Sequence, residues 1–244
     1  MKKKNRILKI LCIVLVCVLV VTGTVFGVYV HDYYHMDNTA KKALKSTDTV
    51  TVKEESDRTV FTPEKYDTGL VFYPGGKVEY QAYAPLMQEY AEHGILCVLV
   101  KMPFNLAVFN ADKAEDVIDD DLKVKNWYIG GHSLGGSMAA YCAYQNADDF
   151  KGIVFLGSYS TKDLKNTKLK AVSLYGSEDR ILNRESYQNY HDNLPKDTIE
   201  EVLIGGNHSQ FGSYGLQEGD GHPSISASRQ REETVDYTIQ MMQE

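Results

Sequence analysis

Cysteine is scarce in this chain. Of four among 244 residues, Cys12 and Cys17 fall in an apolar N-terminal stretch, leaving only Cys97 and Cys142 beyond it. So few thiols cannot staple a disulfide framework, and both are read as buried small hydrophobes, Cys97 in a strand and Cys142 on a helix. No Cys/His spacing suits zinc, so no metal site is expected. The Gly-Lys-Ser/Thr of a phosphate-binding loop is missing too, as are internal repeats and low-complexity tracts. Acid is lacking at one end. Residues 1–30 hold Lys2, Lys3, Lys4, Arg6 and Lys9 without one Asp or Glu, so a net charge of -7 less these five cations leaves -12 for the rest. A body that acidic repels phosphate backbones, which excludes nucleic acid as a partner.

What is present describes a folded protein, with 43% hydrophobic and 24% charged residues. The length suits one sizeable core plus a short appendage. Residues 10–30 form a run of 21 without a charge, matching the ~20 needed to cross the hydrocarbon layer as a helix. The five preceding cations would hold the N-terminus in the cytoplasm and place the body outside. A secretory signal would have a shorter apolar core and a small-x-small cleavage site, so an uncleaved anchor is the expectation. Residues 31–49 are polar and read as a juxtamembrane stalk. The expected organisation is therefore residues 1–30 as cytoplasmic tip and anchor, 31–49 as stalk and 50–244 as one domain, on the extracytoplasmic side of the cell membrane.

Within that domain short apolar runs alternate with helical patterns. Strands are expected at 50–53, 59–61, 70–73, 95–100, 127–129, 153–156, 171–175 and 199–204, and helices at 82–92, 114–122, 134–144, 184–193 and 232–242. The run Ile-Leu-Cys-Val-Leu-Val at 95–100 suits a strand buried on both faces. Such alternation implies an α/β fold, a mostly parallel sheet with helices on both faces. Chemistry then belongs in the loops at the carboxyl ends of the strands.

Gly131-His132-Ser133-Leu134-Gly135 fits G-x-S-x-G, between an expected strand and an expected helix. A serine on so sharp a turn needs small neighbours two positions away, because strand and helix pass close together. Ser133 is the candidate nucleophile. His132, beside it, is read as packing and pointing away from the sheet edge. A serine needs a base, and the base needs a carboxylate. The strand at 171–175 runs into Gly176-Ser177-Glu178-Asp179, making Asp179 the candidate acid with Glu178 and Asp163 as rivals. Three histidines follow Ser133. His208 directly follows the last strand and is the candidate base; His191 lies on a helix and His222 in a Gly/Asp/Pro loop. The backbone N–H of Leu134 is one candidate oxyanion donor, and that of Gly76 a second, with Lys77 as its alternate.

Together these residues resemble the α/β-hydrolase superfamily, and more narrowly its small dienelactone-hydrolase-like group of unknown substrate. The resemblance is carried by Phe72-Tyr73-Pro74-Gly75-Gly76-Lys77-Val78, by Val100 through Ala107, by the elbow to Gly136, by Gly205-Gly206-Asn207-His208-Ser209-Gln210-Phe211-Gly212 and by Tyr214 through Gly221. It spans about residues 50–244 and implies an α/β-hydrolase fold, a triad of Ser133, Asp179 and His208, and no cofactor. Pro74 stands where the family usually has the histidine of a His-Gly oxyanion motif, which weakens the placement of Gly76.

The expected activity is that of a carboxylic-ester hydrolase working through an acyl-enzyme on Ser133. Only 14 residues separate Leu156 from Ala171, too few for a cap domain, so an open, shallow site is expected. It would suit small-molecule or surface-displayed acyl substrates, with Tyr159 and residues 212–224 as candidate walls. Two rivals stand beside this reading: an envelope acyltransferase with the same triad, and a catalytically silent, membrane-tethered binding module.

Overall fold

The structure, a computed structural model, describes residues 2–120 and 122–243. It divides into two compact units, Met1–Tyr33 and Tyr34–Glu244. The first is one helix, α1 (Lys2–His31). Its segment Lys9–His31 is long and apolar enough to cross a membrane, a test that a signal sequence also passes. Thr22 and Thr24 interrupt the apolar run, yet their hydroxyls donate to the carbonyls of Val18 and Val20 one turn back. Their polarity is thus satisfied within the helix, as a bilayer interior demands.

The second unit is built on eight strands: β1 (Val50–Glu54), β2 (Arg58–Pro63), β3 (Thr68–Tyr73), β4 (Ile95–Val100), β5 (Asn126–His132), β6 (Gly152–Leu156), β7 (Lys170–Gly176) and β8 (Asp197–Leu203). Their order in the sheet is β1-β2-β4-β3-β5-β6-β7-β8. The pairs β1–β2 and β2–β4 are antiparallel and all others parallel. The helices are α2 (Asn38–Ala43), α3 (Ala84–Glu92), α4 (Lys113–Ile118), α5 (Leu134–Gln145), α6 (Arg184–Asn189) and α7 (Ala227–Gln243).

Alternation along each strand sorts side chains into two cores. Leu70 and Phe72 of β3, with Cys97 and Leu99 of β4, face Leu86, Met87 and Tyr90 of α3 and Val235 and Met241 of α7. Val71 and Tyr73, with Leu96, Val98 and Val100, face Ala114 and Val117 of α4 and Ala139, Ala140 and Ala143 of α5. Every residue of β4 is buried, which is why its run is apolar throughout. The outermost strands instead expose Lys53 and Glu54 on β1 and Asp197, Glu200 and Glu201 on β8, charges that discourage further pairing.

Two expectations need correcting. The polar stretch at 31–49 is not a solvated stalk throughout. From Tyr34 it belongs to the compact unit: Tyr34 pairs with Val78, Ala40 is fully buried, and Asp37 caps α2 through the amides of Thr39 and Ala40. Its apolar positions are too few for composition to betray them. The helix expected at 184–193 stops at Asn189 and resumes as a single 3-10 turn, His191–Asn193.

Candidate active site

Strand β3 connects to β4 on one side, whereas β5, its neighbour on the other, leads away to β6. Connections diverging from two adjacent strands open a crevice at their carboxyl ends, where such sheets bind ligands. Tyr73 pairs with Gly131 at that end, so the loops after β3 and β5 start side by side.

Ser133 follows β5 and precedes α5, with φ 53 and ψ -125, in a region that residues other than glycine rarely occupy. Close packing holds it there. A Cβ on Gly135 would collide with the carbonyls of Tyr73 and Pro74, and one on Gly131 would lie 2.6 Å from the Gly135 backbone. The Ser133 amide donates to Leu156 at 2.9 Å, and Ser158 Oγ donates to the Ser133 carbonyl at 2.8 Å. The strain is therefore locked from β6 as well as from within the turn.

Asp179 and His208 meet after β7 and β8. The imidazole Nδ1 donates to Asp179 Oδ2 at 2.8 Å, and both side chains are buried. The other carboxylate oxygen accepts from the Ile181 and Leu182 amides at 2.9 and 2.8 Å. Burial by itself would push the Asp179 carboxyl up, but the hydrogen bond and charge of His208 and these two amides together hold it below its usual range. With Nδ1–H turned to the carboxylate, the neutral ring carries its lone pair on Nε2. That nitrogen is buried and has no hydrogen-bond partner among the described residues, and Ser133 Oγ is not bonded to it. Hydrogen bonds of reacting groups are often long before substrate binds. Gly157 makes the approach possible: a Cβ there would lie 2.8 Å from His208 Nδ1.

The rival residues lie elsewhere. His191 faces Glu200 at 3.4 Å, His222 is exposed, and Glu178 is not buried as Asp179 is. The amide of Asp163's neighbour Lys165 bonds the Asp163 carboxylate in an exposed turn.

Gly76 and Leu134 are in contact distance, since a Cβ on Gly76 would lie 2.9 Å from Leu134 Cδ2. Neither amide donates to an acceptor among the described residues. Lys77 differs: its N–H is taken up by the Asn105 carbonyl at 2.9 Å. Two free, neighbouring N–H groups beside Ser133 can hold a developing oxyanion.

Several supporting residues escape a reading by motif. Asp220 Oδ2 accepts from both the amide and the hydroxyl of Ser209, and Oδ1 from the amides of Arg180 and Gly221. One buried carboxylate thus ties the loop of His208 to the loop of Asp179. Gln230 of α7 clamps Asn207 by accepting from its amide at 3.0 Å and donating to its carbonyl at 2.8 Å. His132 is fully buried, but instead of pointing away its ring sits 4.3 Å from that of His208. Its Nδ1 lies 2.7 Å from the Tyr83 hydroxyl, which accepts from the Gly75 amide at 3.0 Å. Burial chiefly, then the charge of His208, drives the His132 pKa well below its ordinary 6.5, against a small opposing effect of the His208 backbone. Gly75, His132, Asn207, Ser209 and Asp220 fall within the stretches that carry the family resemblance, whereas Tyr83 and Gln230 had no sequence signal.

The α/β-hydrolase family matches residues 69–232. The chain belongs to that family. No curated protein matches it. Among solved structures, a dienelactone hydrolase-like promiscuous phosphotriesterase from metagenomic libraries is similar, with 15% identity and a TM-score of 0.61 over 79% of this chain and 99% of the other. Est1E from Butyrivibrio proteoclasticus has 12% identity and a TM-score of 0.58 over 81% and 100%. An esterase of the Planctomycetes species Thermogutta terrifontis has 13% identity and a TM-score of 0.54 over 79% and 92%. At such identities the likeness speaks for the α/β-hydrolase fold. Like the sequence, that fold carries no cap here, since residues 157–169 hold neither helix nor strand.

Proposed function

We propose that this α/β-hydrolase is a serine hydrolase of carboxylic esters acting through an acyl-enzyme on Ser133. The observation that carries this reading is the buried Asp179–His208 hydrogen bond, which leaves the Nε2 lone pair available in the same rim as the strained Ser133 turn. Ser133 attacks the ester carbonyl as His208 takes its proton. Asp179 orients the ring and stabilises its charged form. The Gly76 and Leu134 amides receive the oxyanion, a contribution worth about 10²–10³ in rate per donor. His208 returns the proton to the leaving alcohol, and water repeats the sequence to release the acid. Helix α1 serves as an uncleaved anchor, with its N-terminal cations in the cytoplasm and the hydrolase unit outside. The test is covalent labelling of the full chain by a fluorophosphonate, beside a chromogenic ester panel. Labelling and turnover should vanish in Ser133→Ala, and turnover should fall steeply in Asp179→Asn and His208→Ala. Activity retained in Asp179→Asn would move the acid to Glu178, and labelling retained in Ser133→Ala would sink the reading.

A further inference from the structure

Two buried polar side chains link the halves of the site, and packing alone does not account for them. Tyr83 ends the 3-10 turn Tyr80–Tyr83 before α3, and His132 is the last residue of β5. Both are fully buried. Phe72 lies against Tyr83 and Phe211 against His132, with ring centres 5.3 and 5.5 Å apart, so phenyl rings are accommodated here. An apolar pair would fill the same space without taking a hydroxyl and an imidazole out of water.

Their hydrogen bonds have one consistent assignment. The Tyr83 oxygen accepts from the Gly75 amide at 3.0 Å. Its own proton then goes to His132 Nδ1, 2.7 Å away, because a hydroxyl that only accepted would leave its proton stranded in a dry setting. His132 is thus a neutral ring with its proton on Nε2, an atom without a partner among the described residues. Burial, which disfavours the charged ring, agrees with that state. The other end of Gly75 is held as well: its carbonyl accepts from the Val78 amide at 3.3 Å. Both peptide planes flanking Gly75 are therefore pinned, and the second of them carries the Gly76 N–H. Two successive glycines would otherwise leave this segment free to turn. A Cβ on Gly75 would lie 2.7 Å from the Tyr83 oxygen and 2.9 Å from His132 Nδ1, so the two polar atoms press directly on the backbone they hold.

We propose that Tyr83 and His132 act together as positioning residues for the oxyanion hole, holding the Gly75–Gly76 peptide so that its N–H faces the oxygen that develops charge beside Ser133. This rests on the ester-hydrolase reading of Ser133 and adds how one donor of that site is aimed. His132 acts through Tyr83: the Nδ1 lone pair fixes the hydroxyl, and the hydroxyl oxygen fixes Gly75. The pair works through backbone and not on substrate. Its aim matters most once negative charge has formed, so it raises kcat and leaves substrate affinity nearly unchanged.

The test is steady-state hydrolysis of a soluble butyrate ester by the full chain, with phenylboronic acid as a mimic of the tetrahedral adduct on Ser133. Tyr83→Phe keeps the ring and deletes the hydroxyl. It should lower kcat by about tenfold, hold KM within about twofold and weaken boronate inhibition by a factor similar to the loss in kcat. Tyr90→Phe is the control, since its hydroxyl is equally buried and bonds Thr238 at 2.8 Å in the core between α3 and α7. It should lower the melting temperature comparably and keep kcat within about twofold. His132→Leu removes the acceptor and should match Tyr83→Phe, and the double variant should lose no more than either alone. His132→Asn, whose Oδ1 can accept from Tyr83, should recover most of the rate. The inference is overturned by kcat of Tyr83→Phe within about twofold of wild type, or by a loss confined to KM. Equal losses in the two phenylalanine variants, or losses that multiply in the double variant, overturn it too. A wild type that a fluorophosphonate fails to label sinks the Ser133 reading and this inference with it. A labelled wild type with any of the four preceding results sinks the positioning role alone.

Discussion

Buried polar side chains at the rim do more than their types suggest. Asp220 accepts four hydrogen bonds, three from the loops of His208 and Asp179 and one from the adjacent Gly221 amide. Removing it strands several donors in a dry setting, at a cost of about 3 kcal/mol. Asp220→Ala should lower the unfolding free energy measured in urea by that margin and reduce turnover, because His208 and Asp179 would no longer be held to a common register. His132 supplies a pH signature. Folding keeps it neutral, whereas the unfolded chain binds a proton there below about its ordinary 6.5. Stability from this group is therefore complete above that value and is lost as pH falls. The melting temperature of the wild type relative to His132→Asn should decline steadily from pH 7.5 to pH 5; a gap that stays constant would show that burial does not depress this pKa.

The elements near Ser133 fit through absence of side chains. The turn between β5 and α5 brings Gly135 against the carbonyls of Tyr73 and Pro74, and no rotamer relieves a Cβ at that spot. Gly135→Ala should force β3 and α5 apart, costing about 1–3 kcal/mol by overpacking. Turnover should suffer more than stability does, since the Gly76 and Leu134 amides would separate. Comparing the thermal melt with kcat checks this, and a variant that keeps full activity would refute the tight-turn account. Strand β4 shows the complementary case: a fully apolar run was legible because it is covered on both faces. The segment Tyr34 through Ala43 was not legible, because a few buried contacts at Tyr34 and Ala40 outweigh an otherwise polar composition.

At the scale of the molecule, an apolar helix and a compact α/β-hydrolase unit follow one another in the chain. If α1 is retained as an anchor, the full-length protein should stay in the membrane pellet after a carbonate wash with its N-terminal residues intact by mass. A shortened chain in the soluble fraction would identify residues 1–30 as a cleaved signal instead. The order of the strands brings the loops after β3, β5, β7 and β8 to one edge, although 131 residues separate Gly76 from His208.

The amino-acid sequence determined the eight strands, the glycine-flanked turn at Ser133 and the placement of Asp179 and His208 after strands, because period, turn chemistry and chain order are local properties. Only the tertiary structure decided which carboxylates and rings share the rim. That Asp220 joins two loops, that Tyr83 and His132 lie between Gly75 and His208, and that Lys77 yields its amide to Asn105 are contacts across distant segments. No local pattern encodes them; they exist because close packing brings buried polar groups of distant segments within reach of one another.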